Sequence, residues 1–87
     1  MKKINFKAVV LEDIEGHKQA VDIAKALGNQ LYMQGLNVEE CDLGRSIYYS
    51  EGEMELTDTQ VAAVLRIVST YPYVSRKAIQ DQLEWNF

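Results

Sequence analysis

The sequence predicts an α+β domain: a small antiparallel sheet made of an N-terminal hairpin and a short strand near 53–56, packed by about four helices. Three observations carry this. Residues 4–12, INFKAVVLE, are rich in β-branched and aromatic side chains, and Ile4, Phe6 and Ala8 alternate with polar Asn5 and Lys7. Residues 53–56 again alternate, Met54 and Leu56 against Glu53 and Glu55. Between and after these stretches, apolar residues recur at helical spacing behind clean start and stop signals.

The first strand is read over 4–12. Asp13-Ile14-Glu15-Gly16 then suits a turn, because Gly supplies a positive φ at little cost and Asp bonds its own backbone. Residues 17–21 return as a second strand. A rival reading starts a helix at His17, but Asp22 is a good N-cap standing just before a helical pattern. The first helix runs over 23–34, with Ile23, Ala24, Leu27 and Leu31 on one face. Gly28 interrupts it at a cost of about 1 kcal/mol relative to Ala, which close approach of a neighbouring element would explain. Gly35 suits a left-handed C-cap.

Asn37 with Glu40 three residues on resembles a capping box. It opens a helix over 38–49 that carries Leu43, Ile47 and Tyr48 on one side and is weakened by Gly44. After the strand at 53–56, Thr57 and Gln60 form a second capping box. Val61, Val64, Leu65, Val68 and Tyr71 then give the plainest helical periodicity in the chain, and Pro72 stops it. Ser75 is expected to cap a last helix from Arg76 to about Trp85, with Ala78, Ile79 and Leu83 inward. The 87 residues are expected to form one domain, 1–87, with a modest core.

Composition narrows the function classes. A hydrophobic fraction of 47% with 25% charged residues belongs to globular chains rather than disordered ones. The single cysteine, Cys41, permits no intrachain disulfide. No apolar run approaches the roughly 18–20 residues that span a bilayer, and no signal-peptide core follows the first lysines, so the expected location is cytoplasmic, away from membranes. Metal sites need clustered ligands, and His17 and Cys41 stand alone in different elements. No glycine pattern cradles a phosphate. Glu39, Glu40 and Asp42 suit a helix start, where acids meet the macrodipole favourably. Glu51, Glu53 and Glu55 read as the solvent face of a strand. The chain is therefore expected to be no enzyme and to carry no cofactor.

Residues 56–83 resemble the opening of a winged-helix regulator. Thr57, Gln60, Val64, Leu65, Ser75, Ile79 and Leu83 carry the likeness. In such regulators a third helix enters the major groove, and here the sequence given stops at Phe87. Used as a plain helix-turn-helix, the pair over 57–84 would offer Arg76, Lys77 and Gln80, with Gln82, to phosphates and base edges. Charge disfavours nucleic acid as a partner. The net charge is −4, and over 56–87 the cations Arg66, Arg76 and Lys77 are balanced by Asp58, Asp81 and Glu84.

Read end to end, INFK, DIEG, VDIAKALGNQLY and DLGRSIYYSEGEMELTDTQ are similar to small, mostly uncharacterised proteins of phages, prophages and integrated bacterial elements. That resemblance implies a mobile-element context and a part in particle assembly. It would put Ala where Gly44 stands. The function expected is a protein-interaction or assembly module, with self-association or a protein partner; the alternative is the DNA-binding regulator. Tyr48 and Tyr49 cannot both face inward on one helix. Tyr49, Trp85 and Phe87 are the candidate interface residues, the last two either folding back on the body or anchoring a partner.

Overall fold

Buried apolar side chains drawn from Ile4 to Leu83 meet in one cluster, among them Phe6, Leu27, Leu31, Ile47, Val64 and Ile79. A computed structural model describes residues 2–83. Its elements, in order, are β1 (Lys2–Asn5), β2 (Val9–Glu12), β3 (Lys18–Val21), α1 (Ala24–Gln34), α2 (Val38–Tyr48), β4 (Glu53–Leu56), α3 (Asp58–Val68) and α4 (Tyr73–Leu83). The fold is α+β, with four helices and antiparallel strands.

The stretch read as one strand bends in its middle. Asn5 Oδ1 accepts from the Lys7 amide (2.9 Å), and the Ala8 amide donates to the Asn5 carbonyl (3.2 Å). This is an Asx-type turn, and it carries Phe6 into the core, where it is fully buried. The single expected sheet therefore divides into two two-stranded ladders. β1 pairs with β4, Ile4 opposite Met54 and Lys3 opposite Glu55; β2 pairs with β3, Val9 opposite Val21 and Glu12 opposite Lys18.

The hairpin turn forms as its residues imply. Asp13 Oδ1 accepts from the amides of Glu15 (2.9 Å) and His17 (2.8 Å), and Gly16 takes φ +85°. Residues 18–21 are strand, which removes the rival helix from His17. Asp22 is not the N-cap of α1: Ile23 takes that position, α1 starts at Ala24, and the Ala24 amide donates to Asp22 Oδ1 (3.0 Å) from two residues on. Gly35 is extended (φ −61°, ψ 140°), not left-handed. Its reason is space, since a Cβ there would meet Cys41 Sγ and the Leu31 carbonyl at 3.0 Å.

Asn37 Oδ1 accepts from the Glu40 amide (2.9 Å), as a cap should. Glu40 returns to the Leu36 amide (2.9 Å) rather than to that of Asn37. Its carboxylate also grips the Arg66 guanidinium with two bonds, 2.8 and 2.5 Å, tying the start of α2 to the end of α3. Each charge suits the dipole end on which it sits. The Thr57–Gln60 capping box is complete in both directions, 2.9 and 3.2 Å. α3 ends at Val68, before Tyr71, as the Ser69 and Thr70 hydroxyls donate back to the Arg66 and Ile67 carbonyls. The Tyr71 hydroxyl then donates to Gln30 Oε1 on α1 (2.9 Å), and burial pushes its pKa up.

The last helix starts earlier than expected. α4 begins at Tyr73, with the Pro72 carbonyl accepting from the Arg76 amide (3.1 Å), so Ser75 lies in the first turn and is not the cap. Proline at this boundary is pre-set for helix entry and gives up an amide that would be orphaned anyway. α4 lies mainly against β2 and β1. Gln82 fastens it there: its side-chain oxygen accepts from the Asn5 amide (3.1 Å) and its nitrogen donates to the Ala8 carbonyl (3.0 Å). One amide thus satisfies both ends of the bend between β1 and β2.

α1 and α2 form the most extensive contact in the molecule, an antiparallel helical pair. At its centre the backbones touch. A Cβ on Gly28 would sit 2.6 Å from the Gly44 carbonyl oxygen and the Tyr48 nitrogen; one on Gly44 would sit 2.6 Å from the Tyr32 nitrogen and 2.7 Å from the Gly28 oxygen. Gly28 is a close approach, as expected. Gly44 is the other half of the same contact, so the Ala suggested for that position has no room.

Three outcomes follow from these contacts. Gly28→Ala and Gly44→Ala should each destabilise by about 2–3 kcal/mol in urea denaturation, because overpacking against backbone outweighs the gain in helix propensity. Gly52→Ala, which meets nothing within 4 Å, should change little. Arg66 and the Leu36 amide lower the Glu40 pKa from 4.5 to about 2. A depressed carboxylate stabilises the fold above its unfolded pKa and loses that contribution as pH falls through the folded value. Glu40→Gln should therefore cost about 1–2 kcal/mol at neutral pH, with solvent screening at the 40% exposed Arg66 limiting the value. Titrated downward from pH 4.5 toward 2, the two proteins should converge. Gln82→Ala should cost about 1–3 kcal/mol by leaving the Asn5 amide and Ala8 carbonyl without partners, and amide exchange at Asn5 should accelerate.

Candidate functional site

The glycine contact brings the two helix axes close and leaves a shallow groove on the outer side of the α1–α2 pair. Gly28 and Gly44 lie along it, flanked by Asn29, Tyr32, Arg45, Tyr48 and Tyr49, around a volume of about 320 Å³. Helical spacing explains the walls. Tyr32 follows Gly28 by one turn on α1, and Tyr48 follows Gly44 by one turn on α2, so each tyrosine rises beside the opposite helix's glycine.

The tyrosines are held by their neighbours. The Arg45 guanidinium lies over the Tyr32 ring, 5.4 Å from its centre, and the Lys25 ammonium lies over the Tyr48 ring at 5.9 Å. Tyr48 and Tyr49 meet edge to face, with centres 4.9 Å apart and planes at 71°. Tyr48 is half-buried, whereas Tyr49 is 73% exposed, which agrees with one of the adjacent pair facing outward. Arg45 has one acidic neighbour, Asp42, at 4.0 Å, and Lys25 has no ion pair among the described residues. Among the described residues, no carboxylate lines the groove. Its lining offers aromatic faces, phenolic hydroxyls, one amide and one guanidinium, and the Lys25 ammonium stands outside that lining, over the Tyr48 ring.

Of the candidate interface residues, Tyr49 lies in this groove; Trp85 and Phe87 fall outside the described residues. The candidate DNA contacts line two neighbouring clefts that share Tyr73. Arg76 stacks over the Tyr73 ring (5.7 Å) and lines a cleft with Leu65, Val68 and Gln80. Lys77 points into another cleft beside Val10 and Asp13 and pairs with Asp81 at 3.2 Å. Gln82 is engaged with the β1–β2 bend. His17 sits exposed at the hairpin turn, its Nδ1 3.2 Å from Asp13 Oδ2, and the Cys41 thiol donates to the Tyr32 carbonyl (3.4 Å). Among the described residues, no three His, Cys, Asp or Glu side chains gather where they could hold a metal ion, and no helix is long and apolar enough to cross a membrane.

Lys25, Asn29, Tyr32 and Arg45 were not singled out by the sequence. The one signal that points to them is the pair of mid-helix glycines, each one turn before a tyrosine. Comparison with family models, with curated proteins and with solved structures returns no match for the chain.

Proposed function

We propose that this chain is a non-enzymatic protein-interaction or assembly module whose contact face is the tyrosine-lined groove of α1 and α2. The observation that carries this is the gathering of Tyr32, Tyr48 and Tyr49 with Arg45 along one groove floored by helix backbone, with Lys25 over the Tyr48 ring at its edge. Tyrosine and arginine dominate the energetics of protein interfaces, since each presents a large flat surface together with hydrogen-bonding groups. Here the rings start out braced by cations and by one another, so fewer rotamers remain to be frozen on binding. The resemblance of the sequence to small proteins of phages and integrated elements supports a mobile-element setting and a part in assembly.

The test is site-specific crosslinking in cells. A photo-reactive amino acid placed at Tyr49 should give an adduct with a discrete polypeptide, and the yield should fall sharply when Tyr32→Ala is added. The same group at Lys77 should give none. Light scattering on the purified chain tells whether the captured polypeptide is a second copy. No adduct from position 49, or equal adducts from both positions, would count against the groove as the contact face.

A further inference from the structure

The groove is locally opposite in charge to the molecule that bears it. The chain carries −4 overall. Yet Arg45 in the lining and Lys25 just outside it lie over tyrosine rings instead of in tight ion pairs, and among the described residues the lining holds no carboxylate. A guanidinium over a ring keeps its outward N–H donors available, and the ring holds it in place at little further entropic cost. Asp42, at 4.0 Å, lies at the outer limit of an ion pair with Arg45, so it satisfies that donor set only weakly.

We propose that the groove takes a short acidic segment of a partner polypeptide. Carboxylates of the segment meet Arg45 and Lys25, and its aliphatic parts lie on Tyr32, Tyr48 and Tyr49. This rests on the groove being the contact face. Charge complementarity selects the occupant. A second copy seated face to face around a two-fold axis would bring the same two cations opposite each other. A nucleic-acid strand can stack on tyrosine, but two cations neutralise few phosphates and the rest of this molecule repels a polyanion. A segment with two or three carboxylates matches both the number of cations and the aromatic floor, and Arg45 can bind one of them through two parallel bonds.

Fluorescence anisotropy tests this with a short labelled peptide of alternating Glu and Leu, its Gln-for-Glu counterpart, and oligo-deoxythymidylate. The Glu peptide should bind, and binding should weaken with added salt. Arg45→Glu should weaken it about tenfold and Lys25→Glu further, whereas Arg45→Lys should recover part of the affinity and Lys77→Glu should leave it unchanged. Circular dichroism and urea midpoints establish that each variant is folded; the substituted side chains are all exposed. Equal binding of the Gln peptide, indifference to Arg45→Glu, tighter binding of the oligonucleotide, or a dimer that Tyr49→Ala dissolves would each overturn the proposal. A polypeptide crosslink at Tyr49 without Glu-peptide preference removes the acidic partner alone. Absence of both removes the contact face as well.

Discussion

The backbone contact between Gly28 and Gly44 sets the positions of most other parts. Because neither residue has a Cβ, each carbonyl oxygen occupies the space where the other's side chain would begin, 2.6–2.7 Å from the ideal Cβ position. This closeness fixes the rotation of both helices about their axes. Leu27, Leu31, Leu43 and Ile47 then turn to the core, and Tyr32, Arg45 and Tyr49 turn outward. The same constraint recurs further along the pair, where Gly35 admits Cys41. Two helices of 11 residues each would be marginal alone; their stability comes from this pairing and from the core beneath it.

Polar ties between distant side chains and backbone fasten the elements to one another. Glu40 joins α2 to α3, Tyr71 joins the α3–α4 connection to α1, and Gln82 joins α4 to the bend between the strands. None is a fully buried charge, so none carries the heavy desolvation cost of an interior ion pair. Two of them also satisfy backbone groups that the chain's turns leave open: Glu40 takes the Leu36 amide, and Gln82 takes the Asn5 amide and the Ala8 carbonyl. The bend at Asn5 would otherwise strand two backbone groups beside the core, and α4 supplies the one side chain that reaches both.

Features decided within a few residues were legible in the sequence. The Thr57–Gln60 and Asn37–Glu40 caps, the Asp13–Gly16 turn and the strand at residues 53–56 all form, because local hydrogen bonding and alternation encode them. Features decided by distant partners were not. Asn5 sits within a run of good strand formers, so only the burial of Phe6 reveals the bend there. Gly44 looked like a weak point because its partner, Gly28, lies 16 residues earlier on another helix. Ser75 looked like a cap because serine favours that position, but Pro72 already starts the helix three residues sooner. The groove was half legible: the outward turn of Tyr49 follows from helical geometry, but its meeting with Tyr32 and the cations requires the crossing.

The helix pair at the C-terminal end shows why amphipathic pattern alone does not assign a function. Val61, Val64, Leu65 and Val68 on α3, and Ile79 and Leu83 on α4, are spaced as in a DNA-reading pair, and all six are buried. Burial periodicity states that a face is covered, not what covers it. Here α4 rests on strands, and its outward residues line two clefts that adjoin at Tyr73: Arg76 and Gln80 in one, Lys77 with its Asp81 partner in the other. A nucleic-acid reader needs its cations and amides on one surface within reach of one groove. By contrast, the residues of the α1–α2 groove converge because a backbone contact forces them together. A binding surface gains from such enforcement, since side chains already held in place lose less entropy when a partner arrives.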